Sequence, residues 1–396
     1  MNNKKWFYPI ALVSLAGLIG LEIARVYYIM PFPGSQTDET VELAYIIHNH
    51  IGWLRMVLIG LAAVPLVFIF LRDSVSLKLL TGAVVIFYGL VFYQFNFRLQ
   101  ADKIFTQPSI VRFQPPDSSK VDRKKLVIGI EMNGIAKAYP IEIIGYHHQV
   151  RDTIGKSLVM ITYCTVCRTG RVYKPIVHGK PETFRLVGMD HFNAMFEDAT
   201  TGSWWRQVNG EAVTGPLKGT LLEEIPSQQM SLLAWLDRYP NTLILQPDEN
   251  YDSAYADLED FDEGLASSSL EKRDTASWQE KSWVIGVQTD LQSKAYDWND
   301  LTTLRVINDQ IGTMPIVVTL EPDSVSFHVW QRDSLEFEIH NKILLDTNTK
   351  SAWNWRGQCV EGPLKGVQLK YIQSYQEFWH SWRTFHSATE KFSYHN

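Results

Sequence analysis

Three apolar stretches in the first hundred residues constrain this chain more than anything else in it. Residues 9–30 (PIALVSLAGLIGLEIARVYYIM), 52–71 (GWLRMVLIGLAAVPLVFIFL) and 79–97 (LLTGAVVIFYGLVFYQFNF) each reach the length needed to cross a bilayer, about 20 residues. The first exceeds the usual ~7 to 15 apolar residues of a secretory signal, and no small-residue cleavage site follows it, so it reads as an uncleaved helix. Residues 1–100 are therefore expected to form a three-helix transmembrane anchor with the lipid bilayer as partner.

Lys4 and Lys5 precede the first span and Arg72 and Lys78 lie between the second and third, whereas residues 31–51 carry no Lys or Arg. The positive-inside rule then puts the N-terminus in the cytoplasm and everything after the third span outside. That arrangement suits a bacterial inner membrane with a periplasmic C-terminal domain. Glu22 and Arg25, at i, i+3 near the outer end of the first span, read as an ion pair reaching for the interface. His48 and His50 read as part of a solvated outer loop, with metal binding as the competing interpretation.

From residue 126 onward, short β-branched and aromatic runs punctuated by Gly, Pro and Asn predict strands and turns. Four blocks recur in order. LVIGIEMNGIAKAYP (126–140) returns as WVIGVQTDLQSKAYD (283–297), and WRQVNGEAVTGPLKGTLLEEIPS (205–227) as WNWRGQCVEGPLKGVQLKYIQS (353–374). FEDATTGSWW matches LLDTNTKSAW, and LLAWLDRYPNT matches EFWHSWRTFHS. The expected fold is mainly β (α+β), an internally duplicated extracytoplasmic domain in tandem behind the anchor. The first repeat covers 101–246 with a Cys-x-x-Cys, and a degenerate second repeat lacking it covers 282–396. The acidic stretch 247–281 between them reads as a solvated linker or surface loop.

A net charge of -6 with 37 scattered basic residues leaves no footprint for nucleic acid. The 13 Trp and 17 Tyr serve interfaces, sugar-type ligands or membrane girdles as well as cores. Three cysteines are too few for a disulfide scaffold, so Cys164 and Cys167 in ITYCTVCRTG form a local clip, a redox pair or part of a ligand set. The aligned second copy reads VVTLEPDSVS and has neither cysteine, so the pair looks added to a scaffold that stands without it.

The blocks VIGI…AKAYP, ITYCTVCRTG, NAMFEDATTGSWW, NGEAVTGPLKGTLL and LDRYPNTLIL resemble domain-of-unknown-function family 3179 over roughly residues 120–390. That family's pattern is similar to a YCPLCGSG-type knuckle followed by a TGSLW…TGEAI stretch. The chain departs from it at Thr165, where the family usually has Pro, and at Arg168, where it usually has Gly. The resemblance implies no established activity.

The flanking strands place the cysteine pair in a hairpin turn, unlike a thioredoxin-type pair opening a helix. Arg168 stands where covalent haem attachment needs His. Soft thiolates select copper or zinc, and Met189, His191 and Met195 just downstream, with His147 and His148 upstream, are the further candidate ligands. Each also has an ordinary reading, as core methionine or hydrogen-bonded histidine. Arg168 and Arg171 are the expected charge modulators of the thiols. The functional expectation is a membrane-anchored metal-binding or thiol-redox module. The alternative is a non-enzymatic binding or assembly module, docking an envelope protein or glycan, with Cys164 and Cys167 as a structural clip.

Overall fold

The computed structural model describes residues 3–289, 292–341 and 343–394. Met1 and Asn2 of the expected anchor, and Asp290 and Leu291 in the second occurrence of the opening block, lie outside the described residues. The chain divides into two compact units, each discontinuous in sequence. The first comprises Met1–Thr106, Thr183–Arg206 and Glu211–Leu221, and the second Gln107–Glu182, Gln207–Gly210 and Leu222–Asn396.

In the first unit the three apolar stretches are helices: α1 (Phe7–Tyr27), α2 (Val41–Arg72) and α3 (Val75–Phe97). All three are long and apolar enough to cross a membrane. Leu12, Val13, Met56, Leu61, Val64, Leu71, Leu79 and Ile86 are exposed on them, a distribution that water penalises and lipid does not. The expected second span proves to be only the later part of α2. At ~1.5 Å per residue its 32 residues extend ~48 Å, well beyond a ~30 Å hydrocarbon layer. Its first turns, expected as loop, pack on protein instead.

That protein is an antiparallel sheet of Phe184–Asp190, Asn193–Asp198, Trp204–Arg206 and Ala212–Thr214. Met189 N donates to Ile29 O at 2.7 Å, and a Cβ on Gly188 would meet that oxygen at 2.3 Å, so only glycine admits the approach. Ile29, Val41, Ala44, Val187, Met195, Trp204 and Val213 form the shared apolar cluster. Thr214 Oγ1 donates to Glu42 at 2.8 Å, and Tyr45 meets Trp204 edge to face.

Glu22 is fully buried among the helices. Its partner is Arg55 rather than the expected Arg25: Arg55 Nε and Nη2 reach its two oxygens at 2.6 Å each. Asn96 Nδ2 donates to Glu22 at 2.8 Å, and Arg25 Nη1 donates to Asn96 Oδ1 at 2.5 Å. A carboxylate removed from water needs such bonds from several sides, and here they tie α1, α2 and α3 together.

The second unit is mainly β. One sheet orders Phe113–Gln114, Leu243–Leu245, Ile135–Pro140, Leu126–Met132 and Gln228–Ser231. A second orders Ser374–Phe378, Trp283–Gln288, Ser293–Asp297 and Glu390–Lys391. Contacts recur between the matching sequence blocks. Trp235 presses on Gly129 and Trp382 on Gly286, so closely that a Cβ would sit 2.3 Å and 2.2 Å from the rings. Trp235 Nε1 donates to Thr242 and Trp382 Nε1 to Thr389. Tyr139 and Lys137 share Asp152, as Tyr296 and Lys294 share Asp309. A fourth recurrence joins Trp205 Nε1 to Asp198 in the first unit and Trp353 Nε1 to Asp346 in the second.

The acidic stretch is not the solvated linker expected of it. It includes the short helix Asp252–Ala256, and its Tyr255, Leu258, Phe261 and Ala266 are buried in the core beside Tyr163 and Ile144. Leu126 N donates to Asp262 Oδ2 at 2.8 Å, and Thr165 donates to Glu271. Glu249, Asp252, Asp257, Glu259, Asp260 and Glu263 are exposed around that buried apolar seam, whereas Asp248 is buried.

Candidate functional site

Strands Ser157–Cys164 and Thr169–Tyr173 pair antiparallel, Cys164 opposite Thr169, which puts Cys164 and Cys167 around a hairpin turn as the sequence predicted. Arg168 closes the turn with φ +55°. This left-handed conformation suits the glycine usual at that position and costs ~1–2 kcal/mol in other residues. Side-chain bonds offset the strain. Arg168 Nε donates to Gln376 Oε1 at 2.9 Å and Nη1 to Phe261 O at 3.0 Å, and the guanidinium lies 3.9 Å from the centroid of the Trp283 ring.

Both cysteines are fully buried. The two side chains are hydrogen-bonded to each other, and burial with the neighbouring Cys164 pushes the Cys167 thiol well above its ordinary range. Ser381 and Lys281 pull in the opposite direction. Lys281 Nζ donates to Val166 O, between the cysteines, at 2.6 Å. His380 Nε2 lies 3.2 Å from both Lys281 Nζ and Val166 O. Burial pushes His380 down to about 3 and also lowers Lys281, whose neighbouring cysteines act in the opposite direction. Phe378 N donates to Cys167 O at 3.0 Å.

Arg168 and Arg171, the expected charge modulators, are both buried and bonded to other groups. Arg171 Nη2 pairs with the fully buried Glu377 at 2.6 Å, and its Nε donates to Val208 O. Arg168 spends its donors as described above. Lys281, His380 and Ser381 were missed because each lies more than a hundred residues downstream. The recurring strand after Lys281 was legible, but nothing in its spacing pointed back to the hairpin.

The candidate ligands are distributed over both units. Met189, His191 and Met195 belong to the first unit and the cysteines to the second. Met195 is core. His191 Nδ1 bonds Asp190 at 2.7 Å, a carboxylate that also takes Arg206, and Asp190 raises the imidazole's affinity for a proton. His147 Nε2 meets Tyr255 OH at 2.7 Å within a ring of tyrosines. His148 is buried, which holds it down to about 4. His48 and His50 lie on α2, and His50 Nδ1 meets Ile46 O at 2.9 Å. Among the described residues no group of three or more His, Cys, Asp or Glu side chains is arranged to hold a metal ion.

The chain thus combines three helices apolar and long enough to cross a membrane with a mainly β part that holds a buried cysteine pair. The model of the family described as "Protein of unknown function (DUF3179)" matches residues 106–389, well over half of the chain, and the chain belongs to that family. No curated protein and no solved structure matches it.

Proposed function

We propose that this is a membrane-anchored extracytoplasmic protein of the cell envelope. Its β part is read as a tandem of two copies of one unit, and the first copy carries a dithiol–disulfide couple, Cys164 and Cys167. The recurring Trp–Gly, Trp–Thr and Lys–Asp–Tyr contacts support the tandem reading. The charge asymmetry around α1 and between α2 and α3 supports the outward orientation.

The observation that carries the redox reading is Lys281. Taking an ammonium out of water costs several kcal/mol, and an apolar clip would gain nothing from one. A thiolate forming beside it would be stabilised. Exchange with a partner's disulfide balances without a metal. One thiolate attacks and forms a mixed disulfide, the second cysteine displaces the partner, and the two electrons leave as the partner's dithiol. The full burial of both thiols favours the second reading, a binding module in which the pair is a structural clip.

Elemental analysis and a thiol count on the full chain test the proposal. The redox reading expects no stoichiometric copper or zinc, and two thiols that disappear on mild oxidation and return on reduction. Copper or zinc that is lost in Cys164→Ser would establish a metal site instead.

A further inference from the structure

Apart from the thiol pair, the second unit holds a cavity of about 170 Å³ lined by Gly129, Glu131, Ser227, Gln228, Trp235, Tyr239 and Tyr371. It is smaller than the ~300 Å³ at which drug-sized pockets begin, a volume for one ring rather than several. Tyr239 packs on Trp235 with centroids 4.4 Å apart and is itself half-buried. Tyr371 contributes a second ring and donates to Ser227 O at 3.3 Å.

The polar lining is uncommitted. Glu131 Oε1 accepts from Gly134 N at 2.7 Å, and Arg238 donates to Gln228 Oε1. Among the described residues the other Glu131 oxygen, the Gln228 amide NH₂, the Ser227 hydroxyl and the Tyr239 hydroxyl have no hydrogen-bond partner. An acceptor, a donor and two hydroxyls that do either therefore converge beside aromatic faces.

A separate, larger cavity of about 470 Å³ lies beside Gln288 and His386, which stand in the later sequence blocks where Glu131 and Tyr239 stand in the earlier ones. There the groups satisfy one another. Gln288 Oε1 meets His386 Nε2 at 3.0 Å, and the imidazole stacks on Trp382 at 3.8 Å. The polar pair Gln288–His386 is thus bonded to itself, whereas among the described residues no such bond joins Glu131 to Tyr239.

We propose that the Trp235–Tyr239 cavity binds a single neutral pyranose ring. The ring's C–H face would lie on the half-buried Tyr239, which Trp235 backs, and its hydroxyls would reach Glu131, Ser227 and Gln228. A cation is the other ligand an aromatic wall with one carboxylate invites. The guanidinium groups of Arg238 and Arg356 both act on the Tyr239 hydroxyl, offsetting Glu131 and disfavouring it.

The test uses the full chain in lipid nanodiscs, where no glycoside detergent competes, with glucose, N-acetylglucosamine and choline as probes. Saturation-transfer NMR and calorimetric titration read the binding. The expected result is saturable binding of a sugar that weakens about tenfold or more in Tyr239→Ala and in Glu131→Gln. Tyr239→Phe, which keeps the ring and its packing, should lose less. Saturable binding of choline alone, no saturable binding of either sugar, or sugar binding unchanged in all three variants would overturn the proposal.

Discussion

Lys281 Nζ donates to the carbonyl oxygen of Val166 at 2.6 Å, so the residue between the two cysteines is held by an ammonium from 115 positions further along the chain. The same ammonium pulls the Cys167 thiol downward against burial. Replacing it with an uncharged side chain of similar length, Lys281→Met, therefore leaves burial and the Cys164 neighbour to act alone. Alkylation of the pair by iodoacetamide near pH 8, followed by mass spectrometry, should slow severalfold. An unchanged rate would mean that the ammonium does not act on the thiols.

Arg168 holds a left-handed conformation through its side-chain bonds. Arg168→Ala keeps the strain and loses the bonds, for an expected loss of about 2–4 kcal/mol. Arg168→Gly loses the same bonds but relieves the backbone, so it should be the milder change by about 1 kcal/mol. Denaturant unfolding of the two variants decides the order, and equal losses would remove backbone strain from the account.

Gly129 and Gly286 are the places where a tryptophan ring lies directly on the strand. Gly129→Ala and Gly286→Ala should each destabilise by about 2–3 kcal/mol through overpacking. Thermal unfolding in the same detergent compares them. Similar losses at both positions would support the tandem reading, and a tolerated alanine at either would count against it.

The hairpin corresponding to the cysteine turn carries Glu321 instead, with His328 Nε2 2.6 Å from its Oε1. Burial raises Glu321 to about 8 and pushes His328 well below its ordinary value. The folded state thus holds a proton on Glu321 that the unfolded chain releases above the usual carboxylate range, about pH 4.3. This contribution is fully present below that range and is lost as pH rises through about 8. His328 has the opposite sign: its contribution is present above its ordinary value, about pH 6.5, and is lost as pH falls. Between about pH 6.5 and 8 Glu321 therefore dominates, and stability should fall by at most about 1.4 kcal/mol per pH unit. Glu321→Gln should flatten that slope, which denaturant midpoints at a series of pH values would show.

The three long apolar helices were legible because length and apolarity are read directly from composition, and the mainly β character of the rest because short β-branched and aromatic runs are punctuated by glycine and proline. The extent of α2 was not legible. Residues 41–50 are polar enough to read as loop, and they are helical because Val41, Ala44 and Tyr45 find a sheet to pack on. The acidic stretch misled for a similar reason: Tyr255, Leu258 and Phe261 are the buried part, but eight carboxylates surround them in sequence. At the candidate site the cysteines and their hairpin could be read in advance. The candidate ligands downstream of the pair, Met189, His191 and Met195, fall in the other compact unit, whereas Lys281, His380 and Ser381 come from far along the chain.

The most direct test of the dithiol–disulfide couple is a redox titration of the full chain in thiol–disulfide buffers of graded potential. Quenched alkylation and peptide mass would report the state of Cys164 and Cys167. A reversible two-electron transition between about −300 and −150 mV, with Cys359 unchanged, is the predicted result. Thiols that stay reduced across that range, or a disulfide that no buffer opens, would contradict the account and leave the pair as a structural feature of the hairpin.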